Sequence, residues 1–265
     1  MNDETRYILS DAARGLDVPT RRLFLRNALG LGTLAMLSGC DVVDGLSAER
    51  VLGSMSDFND RAQAWLFNPN TLAREYPARM ITRPFPFNSF YTPNSPDLAP
   101  RIDPRDFVLN VTGLAERKDD WTLRQLYALP RFTQITRHVC IEGWSAIGKW
   151  HGPMLGTILN AADIRRAARY VVFTCADLYS GQAYYESLDL IDAFHPQTIL
   201  AWAMNDRMLS VAHGAPIRLR VERQLGYKHA KYVMRIDAVA SLAGIGLGKG
   251  GYWEDRVDYD WYAGI

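Results

Sequence analysis

The sequence predicts an α+β domain in which β-strands dominate and the helices are short. Runs rich in β-branched and aromatic residues recur along the chain, and the helical segments between them are brief. The chain has 265 residues, 48% of them hydrophobic, which is enough to bury a sizeable core. No G-x-G-x-x-G follows a predicted strand, so a doubly wound dinucleotide fold lacks support.

The elements follow one another in a mixed order. Strand patterns cover residues 107–111, 133–141, 170–174, 198–204, 217–221 and 232–236. Helical patterns cover residues 122–127, 154–161 and 188–193. Gly113 ends the first strand, Thr122 is placed to cap the first helix, and Pro130 ends that helix. Asn205 and Asp206 form a predicted turn after the fourth strand.

The segment from Arg83 to Pro100 is rich in proline, which predicts an extended, irregular loop. Long structured loops of this type are usually functional. We expect residues 40–82 to be a helix-prone lead-in or tether and residues 83–240 to be the functional domain. Residues 241–265 are an aromatic, acidic tail. The tail is interpreted as an aromatic clasp on the core or, alternatively, as a surface for a partner.

The charge balance and the cysteine content exclude two broad classes of protein. The chain carries 30 Lys and Arg against 29 Asp and Glu. Nucleic-acid binding depends on dense basic residues, so nucleic acid is not an expected partner. Three cysteines are too few for a disulfide scaffold. A single Cys140–Cys175 disulfide remains open if the protein works in an oxidising compartment.

Residues 1–39 have the layout of an export signal. Arg21 and Arg22 precede an apolar stretch at residues 28–37, which is too short to span a bilayer core of about 30 Å as a helix. The paired arginines resemble a twin-arginine (Tat) motif, which implies contact with the Tat translocon during export. An ordinary amphipathic N-terminal helix is the alternative interpretation.

The end of this stretch, Leu37-Ser38-Gly39-Cys40, resembles a bacterial lipobox. The resemblance implies cleavage before Cys40 and a lipid on its thiol. A plain Tat signal cut nearby is the alternative. The expected location is the periplasm or cell envelope, with a membrane anchor at Cys40. Tat exports folded proteins, often with a complex cofactor already bound, so this route favours a redox function.

The most informative segment runs from Arg137 through His138 and Cys140 to Trp144. Cys140 leaves a predicted strand beside glycine and tryptophan, and a thiolate is a soft ligand for metals bound through sulfur. Arg137 and His138 are predicted to lower the pKa of the Cys140 thiol. The alternative is a cysteine that only fills the core. Zinc is poorly supported, because no second cysteine or histidine lies at ligand spacing.

A second cluster combines His213-Gly214 with Arg218, Lys228 and Lys231. Glycine lets the backbone approach a ligand closely, while arginine and lysine match anionic groups such as phosphate. A loop of this composition is expected to cradle an anionic group. A basic hairpin on the surface is the alternative interpretation.

Five motifs occur in a fixed order: R-x-x-C-x-E-x-W, W-x-G-x-x-L, H-P-x-T-x-L, H-G-A-P-I-R-L and G-Y-K-x-x-K. Together they resemble the sulfite oxidase-type molybdopterin-binding domain. Within that superfamily they are most similar to the catalytic subunits of periplasmic methionine-sulfoxide reductases. The resemblance extends from about Pro84 to about Ile236 and implies a mixed, sheet-rich fold that binds molybdenum–molybdopterin.

The resemblance assigns roles to particular residues. Cys140 is implied to be the ligand of molybdenum. The residues implied to contact the cofactor are Asn88, Phe90, Tyr91, Cys175, His213, Arg218, His229, Ala230 and Lys231. Tyr91, Arg137 and His138 are expected to orient the substrate. Thr92 stands where the reductases have an acidic residue, and the R-N-H of sulfite oxidases is missing, so neither substrate transfers directly.

The implied activity is transfer of an oxygen atom to or from a small, sulfur-containing substrate. The chain has no C-x-x-C-H haem motif and no cysteine set for an iron–sulfur cluster. Electrons are therefore expected to be exchanged with a membrane haem subunit or a cytochrome. Two alternatives stay open: a cofactor-free thiol redox protein that uses Cys140, and a non-catalytic scaffold lipoprotein of the same fold.

Overall fold

The computed structural model describes residues 70–88, 99–179 and 181–265. All of them belong to the unit Phe67–Ile265. The predicted export signal, Cys40, Phe90 and Tyr91 lie outside the described residues, and so does most of the predicted lead-in. Within the described ranges, no helix has both the length and the apolar character needed to cross a membrane.

Strands dominate the described residues, which confirms the predicted α+β class. The strands are β1 Val108–Gly113, β2 Asp120–Thr122, β3 Arg131–Val139, β4 Ser145–Pro153, β5 Tyr170–Tyr179, β6 Gln182–Asp189, β7 Thr198–Ala201, β8 Ala203–Met204, β9 Arg207–Met208, β10 Arg218–Val221 and β11 Val233–Val239. The α-helices are α1 Leu123–Ala128, α2 Leu155–Ala161, α3 Leu190–Ala193 and α4 Tyr252–Val257. Short 3-10 turns occur at Ala78–Met80, Val211–His213 and Gly226–Lys228.

Within the described ranges the strands form three sheets. The five-stranded sheet has the order β2-β1-β11-β5-β6, in which β1 and β11 are parallel and the other neighbours are antiparallel. A four-stranded sheet has the order β3-β4-β8-β9, and β10 pairs with β7. Strand β4 packs closely on β7: a Cβ at Gly152 would lie 2.0 Å from the carbonyl oxygen of Leu200. The site lies where β3 and β5 end and where β10 begins.

Local sequence signals placed most of these elements correctly. Thr122 caps α1 in a capping box with Gln125, as its position predicted. Gly113 ends β1 with a φ of +80°, and a Cβ there would meet the carbonyl oxygen of Ala238 at 2.3 Å. Asn205 and Asp206 both adopt positive φ angles in the predicted turn.

The prediction missed the long strands β4 and β6 together with the short elements β2, β9 and α4, and it misplaced several element ends. Both long missed strands are buried on both faces, so neither shows the polar–apolar alternation of a half-exposed strand. Strand β3 ends at Val139, which leaves Cys140 in the following turn. The predicted strand 198–204 is divided into β7 and β8 at Trp202. Helix α3 begins at Leu190, since Leu188 belongs to β6.

The C-terminal tail folds onto the domain, in agreement with the aromatic-clasp interpretation. Trp261 Nε1 donates to Ser187 Oγ of β6 at 2.8 Å, and Tyr262 is buried. Gly264 forms a bridge with Gln224, and Tyr227 Oη donates to the carbonyl of Asp260 at 2.6 Å. The tail therefore extends the core and supplies part of the cavity wall described below.

Candidate active site

One cavity of about 220 Å³ gathers most of the predicted site residues that the structure describes. Its wall includes Asn88, His138, Cys140, His213, Arg218, His229, Ala230 and Lys231. Two of the predicted motifs meet there because Arg218 and Lys231 face each other in a β-bridge, and Leu219 N–H donates to the carbonyl of Ala230. Backbone pairing thus brings together residues that are distant in the sequence.

Cys140 occupies the turn that joins β3 to β4. Its N–H donates to the carbonyl of Trp144 at 2.9 Å, and its carbonyl accepts from Gly143 N–H at 3.1 Å. Gly143 has a φ of +89°, which favours glycine at this position. The half-buried Cys140 thiol lines the cavity, so the interpretation as mere core filling does not fit.

The predicted lowering of the Cys140 pKa is wrong. Burial raises the pKa of this thiol, the Glu142 carboxylate adds to the rise, and Lys231 opposes it. His138 supplies no charge, because burial and nearby Arg220 hold its pKa well below the ordinary value. Arg137 faces the opposite side of β3. An anionic Cys140 thiolate therefore needs a positive partner from outside these side chains.

Two predicted site residues do not reach the cavity. Arg137 is exposed and its guanidinium lies 5.3 Å from the ring of Tyr76, because successive strand residues face opposite sides. Cys175 is buried in β5 and is absent from the cavity wall. Burial also raises the pKa of the Cys175 thiol well above its ordinary value. Cys140 and Cys175 are both free thiols, so the alternative of a disulfide between them is not seen.

Arg218 and Lys231 place positive charge at the cavity wall. Arg218 is buried, and its guanidinium donates to the carbonyls of His213 and His229, both at 3.2 Å. Lys231 Nζ donates to the carbonyl of Ala212 at 3.2 Å and to Asn88 Oδ1 at 3.4 Å. Burial and the neighbouring Arg218 lower the pKa of Lys231 well below its ordinary value. An anionic group beside these side chains would compensate the crowded cations.

Lys228, the third cation of the predicted basic cluster, lies elsewhere. Its side chain is fully buried and pairs with Glu186 at 2.5 Å and with Glu254 at 2.8 Å. It links the 3-10 turn to β6 and α4 rather than facing the cavity. Since Arg218 and Lys228 are both buried, the alternative of a basic surface hairpin is wrong.

His213 is held as a neutral ring at the cavity wall. Its Nε2–H donates to the carbonyl of Phe85 at 3.2 Å, and its Nδ1 accepts from the Ser210 hydroxyl at 2.8 Å. Burial, Arg218 and Lys231 lower the pKa of His213 to about 4. The ring therefore connects the 3-10 turn to the proline-rich segment without carrying a charge at neutral pH.

The lowered pKa of His213 predicts that the folded protein loses stability in acid, and that His213→Gln removes this contribution. Below pH 6.5 the unfolded chain binds a proton at this ring and the folded protein does not, so stability rises with pH in this window. As the pH falls from 6.5 to 4, we expect protonation of His213 to lower the free energy of unfolding by about 1–2 kcal/mol, a value that allows for the partial exposure of the ring. Urea unfolding at several pH values should show a shallower pH dependence for His213→Gln. Equal pH dependence in the two proteins would contradict the assignment.

Aromatic and acidic residues to which the sequence assigned no role of their own also line the wall. They are Phe85, Phe87, Trp144, Asp177, Tyr179, Tyr184, Tyr227, Trp253 and Tyr259, with Glu142 at the turn. Trp253 and Tyr259 come from the tail, which the sequence marked only as aromatic. The resemblance implied a contact at Cys175, but Asp177, two residues further along β5, is the residue that lines the cavity.

The described residues hold no group of three or more His, Cys, Asp or Glu side chains suited to a metal ion. The cavity therefore offers a thiol, two cations and neutral imidazoles rather than a full set of protein ligands. His229 adds a further feature. Its Nε2–H donates to the carbonyl of Gln224 at 3.0 Å, while its buried Nδ1 has no partner among the described residues.

The comparisons with known proteins agree with the family resemblance that the motifs indicated. Residues 97–242 match the family model described as the oxidoreductase molybdopterin binding domain. The chain is 43% identical over 254 residues to an Azospira oryzae protein named as a protein-methionine-sulfoxide reductase subunit, YedZ1, covering 96% of this chain and 91% of that protein. It is 28% identical over 226 residues to MsrP of Campylobacter jejuni, a protein-methionine-sulfoxide reductase catalytic subunit, covering 80% and 72% of the two chains.

Among solved structures, the sulfane dehydrogenase SoxCD of Paracoccus pantotrophus resembles the chain with a TM-score of 0.50 and 22% identity. The likeness covers 54% of this chain, which spans 40% of that one. At this identity the comparison concerns the fold alone.

Proposed function

Because the chain belongs to the oxidoreductase molybdopterin-binding domain family and is therefore an enzyme that uses molybdenum–molybdopterin, we propose that it reduces sulfoxides by removing their oxygen atom. The cavity around Cys140 carries this proposal. It combines a thiol with the cations Arg218 and Lys231 in a partly enclosed, aromatic wall. Sulfoxide is the substrate class named in the two reductase relatives.

The residues of the cavity fit this cofactor. The Cys140 thiol offers the soft sulfur ligand that molybdenum would take. Arg218 and Lys231 offer charge for the anionic end of the pterin, which supports the role assigned to their motifs. The buried Nδ1 of His229 has no partner among the described residues and offers an acceptor to a hydrogen-bond donor in the cavity. Asn88, His213 and Ala230 are the other proposed contacts among the described residues.

When bound, the cofactor supplies two-electron redox chemistry at molybdenum, coupled to movement of an oxygen atom. The protein side chains bind and orient. Cys140 would hold the metal, and His138 beside it would orient the substrate. Trp144 and Tyr179 would exclude water from the reacting sulfur. Phe90 and Tyr91 stay proposed contacts that lie outside the described residues. Arg137 is dropped from the site because it faces away.

A sulfoxide accepts two electrons and two protons, its S–O bond breaks, and a thioether and water leave. The sequence contains no C-x-x-C-H haem motif and no cysteine set for an iron–sulfur cluster. We therefore propose a separate membrane haem subunit or cytochrome as the electron donor. The word subunit in the names of the two relatives supports a separate partner subunit, and the haem or cytochrome nature of that partner is part of the proposal. Tat export to the periplasm and a lipid on Cys40 remain part of the proposal.

The test is an assay of protein made in a molybdenum-replete bacterial host, with reduced viologen as electron donor. Methionine sulfoxide, free or in a peptide, should oxidise the viologen, and sulfite with an acceptor should give no turnover. Protein from tungstate-grown cells is the control and should be inactive. Sulfite oxidation without sulfoxide reduction would contradict the proposed direction. Full activity in the protein from tungstate-grown cells would favour the alternative of a thiol enzyme.

A further inference from the structure

A buried ion pair lies directly behind the cavity. Arg220 and Glu222 are both fully buried, and the guanidinium donates from Nε at 2.9 Å and from Nη2 at 2.7 Å to the two carboxylate oxygens. Gln134 Nε2 donates to the same carboxylate at 2.9 Å, and the guanidinium stacks 4.1 Å above the ring of Trp150. These contacts fix the orientation of Arg220.

One edge of this oriented guanidinium points at the site. Arg220 Nη1 lies 2.8 Å from Nδ1 of His138, whose ring lines the cavity next to Cys140. Arginine donates hydrogen bonds and cannot accept them, so His138 Nδ1 must be the acceptor. An imidazole that accepts at Nδ1 carries its proton at Nε2. The tautomer of His138 therefore follows from the geometry of Arg220.

The other ring nitrogen of His138 is available to a ligand. Nε2 makes no hydrogen bond with the described residues, although the ring itself is buried. A Cβ at Gly226 would lie 2.7 Å from this nitrogen, so only glycine lets the backbone pass at this point of the wall. His138 and Gly226 both line the cavity. An N–H at Nε2 would face the group held there.

The neighbouring ring has the opposite tautomeric arrangement. His229 Nε2–H donates to the carbonyl of Gln224, which leaves its buried Nδ1 as an acceptor. The ring centroids of His138 and His229 are 5.0 Å apart and the rings are perpendicular. The two imidazoles thus offer the cavity one donor and one acceptor, each fixed by a partner on its far side.

We propose that Arg220, held by Glu222, is a positioning residue that fixes His138 as an Nε2–H donor toward the molybdopterin-bound site. The inference rests on the proposed function for its ligand, but the tautomer itself belongs to the protein. A purely structural role for Arg220 would stabilise the fold without controlling which nitrogen of His138 carries the proton. The two roles differ in a measurable spectroscopic signature.

The test is the long-range ¹H–¹⁵N spectrum of the full chain labelled at histidine, with the His138 signals assigned by their loss in His138→Gln. The wild type should show a protonated Nε2 and an unprotonated Nδ1. Arg220→Met combined with Glu222→Gln removes the donor without leaving a buried carboxylate unpaired, and should mix the tautomers. Arg220→Lys keeps a donor and should retain the wild-type pattern, as should Glu222→Gln alone.

Turnover supplies the second readout. In Arg220→Met/Glu222→Gln, kcat should fall by about 10- to 100-fold at unchanged molybdenum content, and Arg220→Lys should recover part of it. An Nδ1–H tautomer in the wild type, or an unchanged tautomer in the folded double variant, would overturn the inference. The spectrum needs no turnover, so an absence of sulfoxide reduction would reject the proposed function and leave the tautomer assignment standing.

Discussion

In Cys140→Ser, the rate of sulfoxide reduction is expected to fall by more than about 100-fold. Removing only a residue that hydrogen-bonds to a metal ligand already costs about 10- to 100-fold in activity or metal affinity. The physical reason is the ligand chemistry. A serine hydroxyl is a hard, weakly acidic donor, whereas the thiolate is a soft donor that matches a sulfur-bound metal. Cys140 lies in a turn fixed by Trp144 and Gly143, so the backbone should tolerate the change.

Viologen-linked turnover of Cys140→Ser is the measurement, and Cys175→Ser is its matched control. Both variants exchange one sulfur for oxygen, but Cys175 is buried outside the cavity wall. We expect Cys175→Ser to keep most of its turnover per folded, molybdenum-containing molecule. A Cys140→Ser protein with the turnover of the wild type would remove Cys140 from the site. Equal loss in the two variants would point to a general effect on folding.

Lys228→Met is expected to reduce the free energy of unfolding by about 3–5 kcal/mol, because it leaves buried carboxylates without their cation. Lys228 bridges Glu186 of β6 and Glu254 of α4, and all three side chains are fully buried. Burial and Glu254 raise the pKa of Glu186 well above its ordinary value, while the two carboxylates raise that of Lys228. This cluster ties the tail to the domain.

Urea unfolding at pH 7 measures this loss, with two control variants. Glu186→Gln should cost less, because Lys228 keeps the Glu254 carboxylate as its counter-ion when the Glu186 carboxylate is removed. Lys249→Met removes an ion pair between the exposed side chains of Lys249 and Asp258 and should leave stability unchanged within error. A Lys228→Met protein as stable as Lys249→Met would contradict a structural role for the buried cluster.

The sequence predicted the site best where chemistry is encoded locally. Cys140 lies near the end of a predicted strand and precedes glycine, so its place at the edge of a loop could be predicted from neighbouring residues, although the strand ends one residue earlier. The same local reading failed for Arg137, because adjacent residues of β3 face opposite sides and only His138 could face the cavity. The pKa of Cys140 was misjudged because Arg137 faces away from the thiol and because burial desolvates the thiol.

Features that depend on distant contacts could not be predicted from the sequence. Glu186 and Lys228 look like surface charges in sequence, yet they form a buried cluster with the tail residue Glu254. The same buried polar residues hid β6, whose pattern shows no alternation. Trp253 reaches the cavity only because the tail folds back onto the domain. No local pattern carries such information.

The most direct test of the account is the X-ray absorption spectrum at the molybdenum edge, measured on the wild type and on Cys140→Ser. Elemental analysis and pterin fluorescence of the same samples give the cofactor content. We expect molybdenum and pterin in equal amounts in the wild type, and one sulfur neighbour fewer around any molybdenum that Cys140→Ser retains. An unchanged sulfur shell at full occupancy in Cys140→Ser would contradict the assignment of Cys140 as the ligand.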